Sequence, residues 1–187
     1  MNLISQTSKW LLSAAALALL SSCAVPPPPA KVSPRLYGWH DDQGPGEVAV
    51  TIQLAEQIAI ITRGERPIGW TYVATGREGH ATRPGTYPIT EKLADKVSGT
   101  YGWTEDGFGN IVNPDAKVSD PVPPGEVYVP APMPFWMRLT GYGIGMHAGI
   151  IPEPGQPASH GCIRLPHNIA PLLFHAVKVG TPVTITE

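Results

Sequence analysis

The sequence contains only two cysteines, Cys23 and Cys162, which are too few for a disulfide framework in a chain of 187 residues. Charged residues make up 15% of the chain and the formal net charge is -2, so we predict no nucleic-acid partner. No apolar run reaches the roughly 20 residues that a membrane-spanning helix needs. The 22 prolines and 20 glycines instead favour short strands joined by turns, in one globular domain.

The first 22 residues have the pattern of a signal peptide. Lys9 precedes an apolar, small-residue run from Leu11 to Leu20, within the about 7 to 15 residues typical of such segments. The sequence that ends at Cys23 resembles the bacterial lipoprotein processing box, which implies cleavage before Cys23 and lipidation of its thiol. The alternative is a plain signal peptide with an incidental cysteine. We expect an exported, periplasmic protein anchored to the membrane by this lipid, and Ala24, in place of Asp, indicates the outer membrane.

Composition then divides the rest of the chain into a tether and a catalytic domain. Residues 23–45 include four consecutive prolines, Pro26 to Pro29, which favour a stiff, extended conformation. Residues 46–187 carry the patterns of a folded domain. Within it, residues 91–134 show scattered Gly, Pro and Asp, and we predict a loop-rich insertion there.

Strand patterns dominate this domain, which predicts a mainly β fold with antiparallel strands arranged as a sandwich or barrel. Val48, Val50, Ile52 and Leu54 alternate with polar or small residues, as in a half-buried strand. Further strands are predicted at 58–62, 68–75, 82–89, 135–139, 144–148 and 183–186.

One amphipathic helix is predicted near the C-terminus, with Asn168 as its cap and Gly180 closing it. Its apolar stripe consists of Ile169, Leu172, Leu173, Ala176 and Val177.

The second cysteine lies in a setting that suits catalysis. A free thiol has a pKa of about 8.5, so a nucleophilic cysteine needs a base or a positive field nearby. Cys162 follows Ser159, His160 and Gly161, and either His160 or His147 could be the base. Gly161 permits an unusual backbone angle, and backbone N–H groups near Gly161 and Cys162 could form an oxyanion hole.

Cys162 has two alternative roles. Free cysteines are commonly buried as small hydrophobes, but this one has polar neighbours. His147, His160 and Cys162 could bind zinc, yet no fourth ligand is evident and the spacing is not that of a metal site.

These residues carry a resemblance to a known family. Met146-His147-Ala148-Gly149, followed by Ser159 to Leu165, resembles the active-site signature of the L,D-transpeptidase catalytic domain. The strands of Val48 to Thr75 and the segment Thr82 to Ile89 resemble the family's opening, although Arg83 interrupts its Thr-Pro pair. The resemblance implies the L,D-transpeptidase fold, no metal and no organic cofactor.

The resemblance also implies a reaction. His147, held by the Ala148 carbonyl, takes the proton of Cys162, which attacks a peptidoglycan tetrapeptide stem after the L-centre of diaminopimelate and expels D-Ala. A second stem amine then resolves the thioester. Ser159 and His160 shape the pocket, with His160 the second candidate for the base. Arg164 either holds a substrate carboxylate or anchors its loop by a salt bridge.

Other functions share parts of this pattern. The same acyl-enzyme could serve an L,D-carboxypeptidase or endopeptidase, or attach or detach a protein on peptidoglycan. A sortase also uses Cys, His and Arg, but its Arg does not follow the Cys within one motif. A wall-binding lipoprotein without catalysis is the remaining alternative. We expect a monomer.

Overall fold

The computed structural model describes residues 34–187, so the predicted signal peptide, Cys23 and the proline run lie outside the described residues. No helix in this range is long and apolar enough to cross a membrane. The elements in the described range, thirteen strands and one helix, are β1 (Tyr37–Trp39), β2 (Val48–Gln53), β3 (Ile58–Arg63), β4 (Arg66–Tyr72), β5 (Gly85–Pro88), β6 (Glu91–Leu93), β7 (Val97–Asp106), β8 (Ile111–Lys117), β9 (Glu126–Pro132), β10 (Trp136–Arg138), β11 (Gly145–Ala148), β12 (Ile163–Leu165), α1 (Ala170–Ala176) and β13 (Pro182–Thr186).

A six-stranded sheet forms one side of the core, in the order β1-β4-β3-β2-β13-β5. Strands β2, β3 and β4 pair antiparallel in sequence order, as predicted for the antiparallel strands of this segment. The alternation in β2 has the predicted effect, because Val50 and Ile52 are buried whereas Thr51 is exposed. Strand β13 lies between β2, to which it is parallel, and β5, to which it is antiparallel.

A four-stranded sheet, in the order β12-β11-β10-β6, contains the predicted site residues His147 and Arg164. Strands β11 and β12 run parallel, whereas β10 is antiparallel to both of its neighbours. Because side chains alternate across a strand, one face of this sheet is apolar: Met137, Met146 and Ile163 are fully buried in the core. The residues that alternate with these along each strand lie on the other face.

The helix is present, but its ends differ from the prediction. Ile169, not Asn168, is the N-cap residue, and no side-chain hydrogen bond caps the helix. Ile169 and Leu173 are buried as expected, whereas Leu172 is 38% exposed. The helix ends three residues before the turn that contains Gly180, whose N–H donates to the Ile89 carbonyl.

The prediction of a loop-rich insertion at residues 91–134 was wrong. This segment contains β6 and a separate three-stranded sheet, in the order β8-β7-β9. Every residue of β8 except Ala116 is exposed, so the strand has no apolar alternation that could reveal it. Register shifts in the β7 and β8 pairing disrupt the pattern further.

The predicted tether to residue 45 is also too long. Strand β1 lies inside it and pairs antiparallel with β4. Next to β1, the Asp41 carboxylate accepts from the Arg63 guanidinium at 2.6 Å, which fixes this segment to the strand β3. The folded domain therefore begins before residue 46.

Candidate active site

The outer face of the four-stranded sheet brings together two of the predicted catalytic residues. The parallel register pairs His147 with Arg164, and Cys162, directly before β12, falls opposite Gly145. Because side chains on one face are two residues apart, His147, Cys162 and Arg164 share this face. His147 of β11 is thus the register partner of Arg164, two residues after Cys162.

The Cys162 thiol is partly buried between two loops. Its Sγ lies 3.7 Å from the Gly143 carbonyl oxygen. Burial raises the pKa of the thiol above its ordinary value, and this effect outweighs the lowering by the Gly145 N–H and by the charges of Arg164 and Lys96. The resting thiol is therefore protonated near neutral pH, and it needs a base to become a nucleophile.

The His147 side chain has the properties of such a base. It is only 7% exposed, and its Nδ1 lies 2.8 Å from the Ala148 carbonyl oxygen. Because a carbonyl can only accept, Nδ1 carries the proton and Nε2 keeps a free lone pair. Burial lowers the pKa of His147 to about 4, although the bond to Ala148 acts in the opposite direction. The imidazole is therefore neutral at pH 7 and able to accept a proton.

Ser159 holds the loop that carries the thiol. Its Oγ donates to the Cys162 carbonyl and accepts from the Gly161 N–H at 3.0 Å. Thr82 donates to the Gly161 carbonyl at 2.7 Å, and Gly161 has a φ of 112°, which only glycine adopts without strain. Of the backbone N–H groups near Gly161 and Cys162 that were predicted to form an oxyanion hole, the Gly161 N–H therefore donates to Ser159.

His160 contacts other partners. Its Nε2 lies 2.6 Å from Oδ1 of Asp115, a residue of β8, and its ring stacks on Tyr101 of β7 at 4.0 Å. Arg77 forms a salt bridge with the same carboxylate at 2.7 Å. Burial lowers the pKa of His160, opposed by the charge of Asp115. The His160 imidazole therefore contacts residues of the three-stranded sheet, which leaves His147 as the better placed base.

Arg164 forms no salt bridge with any residue from 34 to 187, so the loop-anchoring alternative finds no support there. Its loop is held instead by the backbone, because Arg164 and Ala74 exchange two hydrogen bonds at 3.0 and 3.1 Å. The guanidinium is half-buried, and burial lowers its pKa. A half-buried cation beside the thiol is suited to bind an anion.

A cleft of about 630 Å³ lies beside the cysteine loop. Residues of the cleft wall include His80, Thr82, Arg83, Tyr87, Leu139, Tyr142, Ile144, His160 and Gly161.

Within residues 34–187 no group of three or more His, Cys, Asp and Glu side chains could hold a metal ion, so His147, His160 and Cys162 do not form a zinc site.

Several residues of the site had no recognisable signal in the sequence. Asp115 lies in the segment predicted to be loops, and nothing in the sequence links Arg77 to His160. Trp136 is a further case: its ring centroid lies 6.3 Å from that of His147, a neighbour across the β10 and β11 pairing. A sequence pattern for strands does not show which residues face each other.

Comparison with known proteins identifies the family. The model of the L,D-transpeptidase catalytic domain (YkuD) matches residues 47–185, whereas no curated protein matches significantly. An L,D-transpeptidase from Mycobacterium smegmatis is similar in structure, with a TM-score of 0.59, 19% identity, and coverage of 75% of this chain and 59% of that one.

Two further solved structures show the same likeness. One is an L,D-transpeptidase from Stackebrandtia nassauensis, with a TM-score of 0.53, 22% identity and coverage of 79% and 60%. The other is L,D-transpeptidase 3 from Mycobacterium tuberculosis with a faropenem-derived adduct, with a TM-score of 0.57, 20% identity and coverage of 75% and 60%. This chain thus spans about three-fifths of the length of these relatives, and the predicted fold is confirmed. Because the family model spans most of the sequence, the chain belongs to the L,D-transpeptidase catalytic domain family.

Proposed function

We propose that this protein is a peptidoglycan L,D-transpeptidase in which Cys162 is the nucleophile and His147 the general base. The orientation of the His147 ring supports this assignment. The Nδ1 proton of His147 is held by the Ala148 carbonyl at 2.8 Å, so the free Nε2 lone pair is available on the sheet face that also carries Cys162. A neutral imidazole beside a protonated thiol is the arrangement required for base-assisted attack.

The first half of the reaction forms the acyl-enzyme. His147 Nε2 takes the Sγ proton as the sulfur attacks the carbonyl carbon between the L-centre of diaminopimelate and D-Ala. The oxyanion is stabilised by backbone donors that include the Cys162 N–H, since the Gly161 N–H is occupied by Ser159. The imidazolium then gives its proton to the leaving nitrogen, the C–N bond breaks, and D-Ala departs.

The second half transfers the acyl group. An amine of a second stem attacks the thioester carbonyl, His147 takes the amine proton, and the C–S bond breaks to restore the thiol. His147 serves both halves because burial disfavours its charged form, so the imidazolium returns the proton. The side chains of Ser159 and Arg164 support this chemistry, the first by fixing the cysteine loop and the second by placing a positive charge beside the site.

The proposal includes a location. The signal-peptide pattern and the processing box at Cys23 favour an exported protein with a lipid anchor in the periplasm, on the outer membrane. Replacing Cys23 with Ser is expected to release the protein from the membrane fraction. Continued membrane association of that variant would contradict the anchor but leave the proposed reaction intact.

Mass spectrometry of muropeptides tests the reaction itself. Incubation of the purified protein with tetrapeptide-containing muropeptides is expected to give dimers cross-linked between third residues, together with free D-Ala. Cys162→Ala should give neither product. Shortened stems without dimers would identify a hydrolase that uses the same acyl-enzyme, and release of a bound protein from peptidoglycan sacculi would identify a detaching enzyme.

A further inference from the structure

Trp136 forms a platform beside the catalytic residues. Its ring lies 6.3 Å from that of His147, and its rim extends over Gly145, the strand neighbour of Cys162. A Cβ atom at Gly145 would lie only 2.7 Å from the rim carbon Cη2, so the ring takes the space that a side chain would fill. The indole therefore forms one wall of the catalytic centre.

Two cations approach this platform, and only one has a counter-ion. The Arg138 guanidinium lies 5.6 Å from the ring centroid, and the Glu91 carboxylate neutralises it at 3.0 Å. The same carboxylate accepts from the Trp136 indole N–H. Lys96, in the turn between β6 and β7, places its Nζ 5.4 Å from the ring centroid. It forms no salt bridge with any residue from 34 to 187.

Lys96 and Arg164 thus flank the catalytic pair. Arg164 is the register neighbour of His147 on β12, and Trp136 is its neighbour on the opposite side, where Lys96 lies over the ring. Both cations are half-buried, and neither has a carboxylate partner in the described residues. The positive charges of both side chains also act to lower the pKa of the Cys162 thiol. Two partly desolvated positive charges without partners favour a bound anion between them.

We propose that Lys96 and Arg164 form a carboxylate-binding subsite at Cys162, in which Lys96 is a specificity-determining residue for the peptide that acylates the thiol. The assignment to a peptide rests on the proposed function. A tetrapeptide stem offers two carboxylates near the attacked carbonyl: the terminal carboxylate of the leaving residue, one residue away, and the carboxylate on the side chain of the third residue. Both present the same chemistry to an ammonium and a guanidinium.

Alkylation of Cys162 tests the subsite without any peptide. Iodoacetate and iodoacetamide differ in one group, a carboxylate against an amide, and both react with the thiolate. The ratio of their rate constants therefore cancels changes in thiol pKa. Cys23→Ser in the full chain leaves Cys162 as the only thiol. In this background, Lys96→Gln is expected to lower the rate constant for iodoacetate relative to that for iodoacetamide about threefold. This is the scale of the effect of one unit charge several ångströms away near water.

The controls separate the charge from the structure. Lys96→Arg should retain the ratio because it keeps the charge. Lys92→Gln removes the same charge from β6, where the Lys92 Nζ lies over Phe174 and donates to the Val177 carbonyl, and it should leave the ratio unchanged. An equal ratio in the parent protein and Lys96→Gln would overturn the subsite.

Three donor tetrapeptides then identify the carboxylate: the free acid, the terminal amide, and the amide of the third residue's side-chain carboxylate. Lys96→Gln should raise KM for the free acid but not for the amide that lacks the bound group. An equal effect on all three would contradict carboxylate recognition. If no stem is turned over while the alkylation ratio still depends on Lys96, the proposed function fails and the subsite stands. If stems are turned over and Lys96→Gln changes nothing, only the subsite fails.

Discussion

Burial of a neutral imidazole at His147 predicts that the folded protein loses stability in mild acid. The folded-state pKa of His147 is about 4, below the ordinary value of 6.5, so the unfolded chain binds the proton first as the pH falls. The contribution of neutral His147 to the free energy of unfolding is fully present above pH 6.5 and is lost as the pH falls through 6.5 towards 4. From these two values, the loss between pH 7 and pH 5 is about 2 kcal/mol, a substantial part of the roughly 5 to 15 kcal/mol that stabilises a typical domain.

Urea unfolding followed by tryptophan fluorescence measures this effect. The free energy of unfolding of the natural chain and of His147→Gln should be compared at pH 7, 6 and 5, above the range in which ordinary carboxylates titrate. Because every other group titrates in both proteins, the difference between the two curves isolates His147. The natural chain should lose about 2 kcal/mol more than the variant over this range. Parallel curves would refute a buried, neutral His147.

Three other substitutions have expected outcomes. Ser159→Ala leaves the Gly161 N–H and the Cys162 carbonyl without their partner. It should lower the free energy of unfolding in urea by about 1 to 3 kcal/mol and slow acylation of the thiol by a carbapenem. Unchanged values for both would contradict the role of Ser159. Gly76→Ala would place a Cβ 1.8 Å from the His80 carbonyl oxygen, whereas the Cβ of Gly149→Ala would meet only the Arg164 side chain. Gly76→Ala should therefore lower Tm far more than Gly149→Ala. Equal shifts in Tm would be inconsistent with this packing. Asp115→Asn removes the negative charge that supports protonated His160, so the pKa of His160 measured by NMR should fall further, and a rise would be evidence against the contact.

Local patterns were sufficient for much of the fold. The alternation from Val48 to Ile52 and the short strands on either side of Gly141 to Gly143 identified β2, β10 and β11 within one or two residues. Each of these strands has a buried face, and burial is what creates the periodic signal. Strand β8 has no such face, so its polar sequence resembled a loop.

The assignment of Cys162 and His147 as a candidate pair has a different basis. Ser159, His160, Gly161 and Cys162 are contiguous, so their association does not depend on knowledge of the fold, and His147 belongs to the same family signature. The contacts of Asp115 with His160 and of Lys96 with the Trp136 ring join distant segments. Such contacts depend on strand register and on sheet order, neither of which is encoded by any local pattern.

The helix boundary illustrates the limit of propensity arguments. Asn168 is a favourable capping residue, yet the helix begins one residue later, with Ile169 as its N-cap. Ile169 is fully buried, and the N–H groups of Ile169 and Ala170 both donate to the Pro166 carbonyl. Packing of the first turn against the core therefore determined where the helix begins.

The central claim is that Cys162 carries the peptide as a thioester, and the mass of the proteolytic fragment that contains Cys162 tests it most directly. The purified protein should be mixed with a tetrapeptide stem, quenched in acid within seconds and digested. We expect an added mass equal to the tetrapeptide minus alanine on the fragment that contains Cys162, and no such adduct in Cys162→Ala. The same adduct in Cys162→Ala, or turnover of the stem by that variant, would contradict it.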